Sequence, residues 1–182
     1  MAGVLWQPHD RPGAERAVIE PTIDGFRVAG TVLLVIDELP HEIRYSVLTD
    51  HRWRTRTVGA HVQGAATDRR LALHADGEGA WSVTDEPVVD LFGAIDADLS
   101  WTPATNTIAI RRLALEVGET AEVRVAHVAF PEHEVRRVTQ HYTRVSDHRY
   151  VYRSPTAEVE LTVDASGIVT HYPGGWTAVA TG

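Results

Sequence analysis

The chain has 182 residues, no cysteine and a formal net charge of −8 at pH 7. This length suits one domain, so we expect a single domain over residues 1–182. The absence of cysteine excludes disulfides, a thiol nucleophile and a zinc thiolate site. The acidic balance argues against a nucleic-acid partner, because such a partner requires a basic surface.

The sequence shows neither the pattern of a membrane-spanning helix nor that of a signal peptide. The longest apolar run, residues 31–36, is far shorter than the ~20 residues that a membrane helix needs. The N-terminal residues lack the basic region and the apolar core of a signal peptide. The sequence therefore predicts a cytoplasmic protein with no integral membrane segment.

Alternating apolar and polar residues recur along most of the chain, as residues 42–49 illustrate. This period of two, together with many valines and threonines, favours strands. Turn signals such as Asp24-Gly25 and Asp76-Gly77 separate the segments. We predict an all-β, mainly antiparallel fold: one curled sheet of about a dozen strands that forms a half-open to closed β-barrel.

No ten-residue window of the sequence shows a clear helical repeat of apolar residues. We therefore expect at most one or two short helices. The segments that could hold them are residues 71–80 and residues 87–97.

Residues 93–113 are the most informative stretch. Read as a strand, they place Asp96 and Asp98 on the same face, because side chains alternate. Residues 102–106, Thr-Pro-Ala-Thr-Asn, then predict a turn, since proline restricts φ and the polar side chains can bond nearby backbone.

The chain is next expected to return as a strand through Ile108 and Ile110. In that strand Arg111 and Arg112 would point to opposite faces, so only one of them would join the acids. We interpret the acids and one arginine as structural groups held by charge-assisted hydrogen bonds. The predicted residues of the turn and its ion pairs are Asp96, Asp98, Asn106 and Arg112.

Specific enzyme and metal motifs are absent, including the nucleophile elbow, the phosphate loop and the dinucleotide-binding glycines. A metal site built from His127, His141 and His148 is conceivable, but no spacing demands it. We predict no metal and no cofactor. An acid/base role for Asp96 or Asp98 remains an alternative, since neighbouring carboxylates push each other's pKa values apart.

Aromatic residues lie in or beside many of the predicted strands, where they form either ordinary core or the wall of a ligand pocket. A closed or half-closed sheet of this size can enclose a ligand. The predicted ligand-binding residues are the polar Arg54, Arg56, Arg111 and Gln140, with Trp53 and Tyr142 as walls.

A resemblance to a known family rests mainly on residues 102–113, which read Thr-Pro-Ala-Thr-Asn-Thr-Ile-Ala-Ile-Arg-Arg-Leu. They resemble the motif Thr-Pro-Phe-Thr-Asn-Thr-Leu-Pro-Ile-Arg-Arg-Leu of the bacterial putative glycolipid-binding proteins. Ala104 and Ala109 depart from the Phe and Pro of that motif. Supporting matches include Trp53-Arg54-Thr55-Arg56, Asp96-Ala97-Asp98 and Gln140 with Tyr142.

This resemblance implies a curled sheet or barrel similar to the LolA-like lipoprotein carriers and related mycobacterial lipid carriers, which hold acyl chains in a half-open barrel. It implies no catalytic residue and no established lipid contact. The function that we favour is a non-enzymatic binding protein for an amphiphilic, lipid-like or glycolipid-like small molecule.

Two alternatives stay open. One is an enzyme on a barrel scaffold that acts on a small carbonyl or sugar-like substrate, with Asp96 or Asp98 as base and an arginine as clamp. The other is an interaction module with a filled core that forms a homodimer. The interior of the structure discriminates them, because a long apolar pocket, a small polar pocket and no pocket favour the binder, the enzyme and the module respectively.

Overall fold

The structure, a computed structural model, describes residues 1–65, 67–131 and 134–182. Strands dominate these residues. They are β1 (Ala2–Pro8), β2 (Gly13–Pro21), β3 (Gly25–Ile36), β4 (Leu39–Asp50), β5 (Thr55–Gly64), β6 (Thr67–Ala75), β7 (Trp81–Val83), β8 (Glu86–Pro87), β9 (Asp96–Leu99), β10 (Thr120–Val128), β11 (Val135–Ser146), β12 (Arg149–Ser154), β13 (Ala157–Val163), β14 (Val169–Tyr172) and β15 (Trp176–Thr181). One α-helix, α1 (Asn106–Leu113), and one 3₁₀ turn, Val89–Leu91, complete the described elements.

All fifteen described strands join one sheet, in the order β8-β7-β6-β5-β4-β3-β2-β1-β15-β14-β13-β12-β11-β10-β9. Neighbouring strands run antiparallel except for the parallel pair β9 and β10. The first and last strands, β1 and β15, pair in the middle of the sheet. The prediction of an all-β, mainly antiparallel curled sheet is therefore confirmed.

The two edges of the sheet, β8 and β9, do not pair, so the ladder stays open. The chain just before β9 nevertheless reaches the other half of the sheet. The Thr55 amide donates to the Ile95 carbonyl at 3.2 Å, and the Gly93 amide donates to the Gly79 carbonyl at 2.8 Å. These two bonds form a seam that brings the curled sheet close to a barrel.

The return strand predicted after residues 102–106 is wrong, because α1 occupies that position. Residues 101–110 are all buried, since the chain turns into the barrel interior instead of pairing at the sheet edge. A helix satisfies its own backbone groups, whereas a single buried strand without a neighbour would not. Of the two segments expected to hold short helices, residues 71–80 contain the end of β6 and a turn, and residues 87–97 contain the short 3₁₀ turn between β8 and β9.

The interior of the curled sheet is filled by this buried segment, which we call the interior segment (residues 101–110). Trp101 and Ile108 pack into one apolar cluster together with β1 to β5. Ala109 and Ile110 pack into a second cluster with β10 to β14. The chain's own residues therefore take much of the space that an open barrel would offer. Among the described residues, no helix is long and apolar enough to cross a membrane.

Candidate functional site

A cleft of about 760 Å³ remains beside α1. Its lining comes from the interior segment, from β9 to β12 and from β14, together with the turns after β12 and β14 and the first residues of β13 and β15. This volume lies within the range of ~300–1,000 Å³ that is typical of pockets for one small ligand. The cleft is therefore the natural candidate for a functional site.

Polar side chains converge on Asp98 at the floor of the cleft. Gln140 Nε2 donates to Asp98 Oδ2 at 2.7 Å, and His127 Nδ1 lies 2.9 Å from the same oxygen. Thr105 Oγ1 donates to Asp98 Oδ1 at 3.2 Å. With Asp98 as a carboxylate, Nδ1 is the donor and His127 Nε2 is left for another partner. Both oxygens of the carboxylate are thus engaged by groups of this chain.

The wall of the cleft is aromatic. Tyr142 on β11, Tyr152 on β12 and Tyr172 on β14 form a row, with successive ring centroids 5.2 and 6.2 Å apart. Tyr152 and Tyr172 line the cleft, while Tyr142 is buried behind them and accepts a hydrogen bond of 2.8 Å from Asn106 Nδ2. Burial raises the pKa of Tyr172 to about 12, so its hydroxyl stays neutral at physiological pH.

Two arginines stand where the cleft opens to solvent. Arg136 is paired with His127 in the β10–β11 register, and Arg136, Val138 and Gln140 share one face of β11 by alternation. The Arg137 guanidinium donates to the Phe92 carbonyl. Along β11 the lining of the cleft therefore changes from the cationic Arg136 at the mouth to the apolar Val138 and then to the amide of Gln140 at the floor.

The six predicted ligand-binding residues do not form one site. Gln140 lies at the cleft floor and Tyr142 supports its wall, but the other four lie elsewhere. Trp53 stacks on Phe26 with a centroid distance of 4.1 Å, and the Arg111 guanidinium lies 5.5 Å from the Trp53 ring on α1's exposed side. Both rings and the guanidinium are thereby engaged with one another.

Arg54 and Arg56 lie on the outside of the sheet. Arg54 forms an ion pair with Glu78, and Arg56 donates to the Asp76 carbonyl. Arg54 and Arg56 are therefore anchored to the turn between β6 and β7. Arg54, Arg111 and Trp53 also line a separate surface depression of about 610 Å³, and Gln140 is not part of its lining.

Two of the four predicted turn residues, Asp96 and Arg112, form a close ion pair. Arg112 Nε and Nη2 donate to the two oxygens of Asp96, each at 2.7 Å. Asp96 is only 1% exposed, and its burial raises the pKa of its carboxyl while Arg112 opposes that shift. Asp98 has a different position from this ion pair, because its carboxylate lies at the floor of the cleft.

A buried carboxyl that sequence reasoning missed lies on β2. Glu15 Oε1 accepts hydrogen bonds from the hydroxyls of Tyr45 and Thr102, the latter at 2.6 Å. Oε2 is buried and has no partner among the described residues. Burial raises the pKa of Glu15 to about 8. The alternation that places Glu15 on the face of Ala17 and Ile19 was a signal that could have found it.

The predicted set of ligand-binding residues also did not include His127, Arg136, Tyr152 and Tyr172. Alternation already set His127 on the face of Val123 and Val125, which is unusual for a polar side chain in an apolar row. Within the described ranges, no group of three or more histidine, aspartate or glutamate side chains is arranged to hold a metal ion. His127 and His141 instead approach different acids, Asp98 and Glu122.

Comparison with known proteins shows the relationship of this chain. A family model described as "Putative glycolipid-binding" matches residues 3–178. The chain belongs to the putative glycolipid-binding family. The resemblance inferred from residues 102–113 is thus confirmed, and that motif forms most of the interior segment and α1.

Two crystal structures are similar to this member of the putative glycolipid-binding family. A DUF1089 family protein from Pseudomonas aeruginosa is 31% identical, with a TM-score of 0.81 over 90% of this chain and 91% of that one. A β-barrel-like protein of domain of unknown function DUF1849 from Brucella abortus is 10% identical, with a TM-score of 0.60 over 99% and 96%. The second likeness shows the fold alone. No curated protein matches the chain.

Proposed function

We propose that this protein binds an amphiphilic, lipid-like or glycolipid-like small molecule in the cleft beside α1, without performing a chemical step. The observation that carries the proposal is the cleft itself, which combines polar side chains, including Gln140 and His127, with a wall of Tyr152, Tyr172 and Trp176. Apolar burial supplies affinity at ~25 cal/mol per Å², and the polar side chains of the lining orient the head. The description of the family supports the same class of ligand.

The size of the cleft restricts the ligand. The interior segment fills the space beside the cleft, and about 760 Å³ remains. A volume of this order holds one small molecule or one chain with its head group. A compact single-chain amphiphile therefore fits this proposal better than a large lipid with several chains.

Binding is favoured over acid–base catalysis because both acids of the enzyme alternative are engaged. Asp96 is buried and bound by Arg112, and Asp98 accepts from Thr105 and Gln140 and lies against His127. Proton abstraction by Asp98 would have to compete with these contacts. The interaction module with a completely filled core is less well supported, because the cleft remains open.

Native mass spectrometry of the protein purified from its own host, followed by displacement of a fluorescent acyl probe, tests the proposal. Val138→Trp places a large ring in the cleft and should abolish probe binding. The matched control is Val151→Trp on β12, whose side chain points away from the cleft because it alternates with Tyr150 and Tyr152. Absence of a bound amphiphile together with equal probe binding by the two variants would contradict the proposal.

A further inference from the structure

The mouth of the cleft is positively charged although the chain is acidic overall. The chain as a whole carries a net charge of −8, yet among the residues that the structure describes the charged ones in the cleft lining are Arg136, Arg137 and one acid, Asp98. Asp98 lies at the floor of the cleft, where it contacts Gln140, Thr105 and His127. The charged groups at the mouth are therefore the two arginines.

Arg136 is placed to meet a ligand. It faces the cleft from the same side of β11 as Val138 and Gln140, and it is exposed. Within the described residues its guanidinium makes no ion pair or hydrogen bond. An arginine without a partner at the rim of a cleft is suited to bidentate recognition of a carboxylate or a phosphate.

His127 stands opposite Arg136 in the strand register, and directly opposite residues place their Cβ atoms ~4.5–5.5 Å apart. Asp98 fixes the ring through Nδ1, which leaves Nε2 for a ligand. Nε2 can accept from a protonated head or donate to an ionised one. His127 and Arg136 can therefore both contact one small polar group of a ligand at the mouth of the cleft, above its apolar wall.

We propose that the cleft selects amphiphiles with an anionic head, a phosphate or a carboxylate, held between the Arg136 guanidinium and the His127 ring. The inference rests on the proposed binding function and adds the chemistry of the head group. The apolar part of the ligand then lies along Val138, Tyr152 and Trp176. A cationic head is repelled by the arginines, and a neutral sugar head forms no ion pair with Arg136.

Isothermal titration calorimetry with four dodecyl amphiphiles below their micelle concentrations tests this inference. The probes are dodecyl phosphate, dodecanoate, dodecyl maltoside and dodecyltrimethylammonium, which share one chain and differ in the head. We expect at least one anion to bind about tenfold more tightly than the maltoside, and the cation to bind most weakly. The order of the two anions then distinguishes a phosphate ligand from a carboxylate ligand.

Arg136→Gln should weaken binding of the tighter anion about tenfold and leave maltoside binding unchanged. Arg16→Gln is the matched control, because Arg16 is an exposed arginine on β2 outside the cleft lining. The melting temperature of both variants checks that they are folded. Equal binding of anion and maltoside, or equal losses in the two variants, overturns the anionic head while the binding function stands. Failure of all four probes contradicts both.

Discussion

Arg112 and Asp96 join the last turn of α1 to the first residue of β9 through two parallel hydrogen bonds, each 2.7 Å long. The carboxylate is almost completely buried, whereas the guanidinium is partly exposed. The pair therefore fixes the helix inside the barrel against the edge strand. Removal of Arg112 alone would leave the buried Asp96 carboxylate without a compensating charge.

Arg112→Ala should lower the free energy of unfolding by about 3–5 kcal/mol, because the buried Asp96 loses the cation that is paired with it. The adjacent Arg111→Ala is the control: it removes an exposed guanidinium from the Trp53 ring and should cost about 0.5–1 kcal/mol. Urea unfolding of both variants measures the difference. In the double variant Asp96→Ala/Arg112→Ala the loss should be smaller than the sum of the single losses. Additive losses would contradict a direct coupling.

Glu15 should make stability depend on pH. Its pKa is raised to about 8 in the folded protein from an ordinary value of 4.5, so the folded state holds the proton more tightly than the unfolded state. The contribution is fully present below pH 4.5 and is lost as the pH rises toward 8, with a slope of at most about 1.4 kcal/mol per pH unit.

Glu15→Gln should remove this slope, because the amide keeps an acceptor for Tyr45 and Thr102 but does not titrate in this range. Urea unfolding of both proteins at pH 5, 6, 7 and 8 measures the effect. The stability of the Gln variant relative to the parent protein should increase steadily with pH. Parallel pH profiles would show that Glu15 is ionised in the folded state at neutral pH.

Asn106 should contribute to stability through its hydrogen bond to the Tyr142 hydroxyl. Asn106→Ala leaves that buried hydroxyl without its donor and should cost about 1–3 kcal/mol. Tyr142→Phe in the Asn106→Ala background should restore part of the loss, since both polar partners are then gone. A double-mutant cycle by thermal unfolding measures the coupling, and a coupling near zero would argue against the contact.

Gly79 should be essential for the seam between the two halves of the sheet. A Cβ at this position would lie 2.9 Å from the Cα of Gly93, and the backbone has a φ of +109°. Gly118 is the matched control, because its φ is +94° but no atom lies within 4 Å of an added Cβ.

Gly118→Ala should therefore cost about 1 kcal/mol from backbone strain alone, and Gly79→Ala should cost about 1–3 kcal/mol more. Hydrogen exchange at residues 93–97 should be faster only in the Gly79 variant, because the Gly93 amide loses its acceptor. Equal destabilisation of the two variants would mean that the seam tolerates the added methyl group.

The sequence by itself determined the sheet. A side-chain period of two and turn-forming residues act over a few neighbouring positions, so they could be read for each strand in turn. They predicted one curled antiparallel sheet, and they placed Asp96 and Asp98 on one face. The motif at residues 102–113 identified the family, because it is specific as a string of residues whatever structure it adopts.

Only the tertiary structure decided the helix and the cleft. Thr107, Ile108 and Ile110 are β-branched and favour a strand locally, yet the interior of the barrel offers them no partner strand, so the segment forms a helix that satisfies its own backbone. Glu15 and Thr102, which form a hydrogen bond, are 87 positions apart in the chain. Asp98 and Gln140, which form another, are 42 positions apart. Such contacts depend on how far the sheet curls, which is set by the packing of the whole core and not by any local pattern.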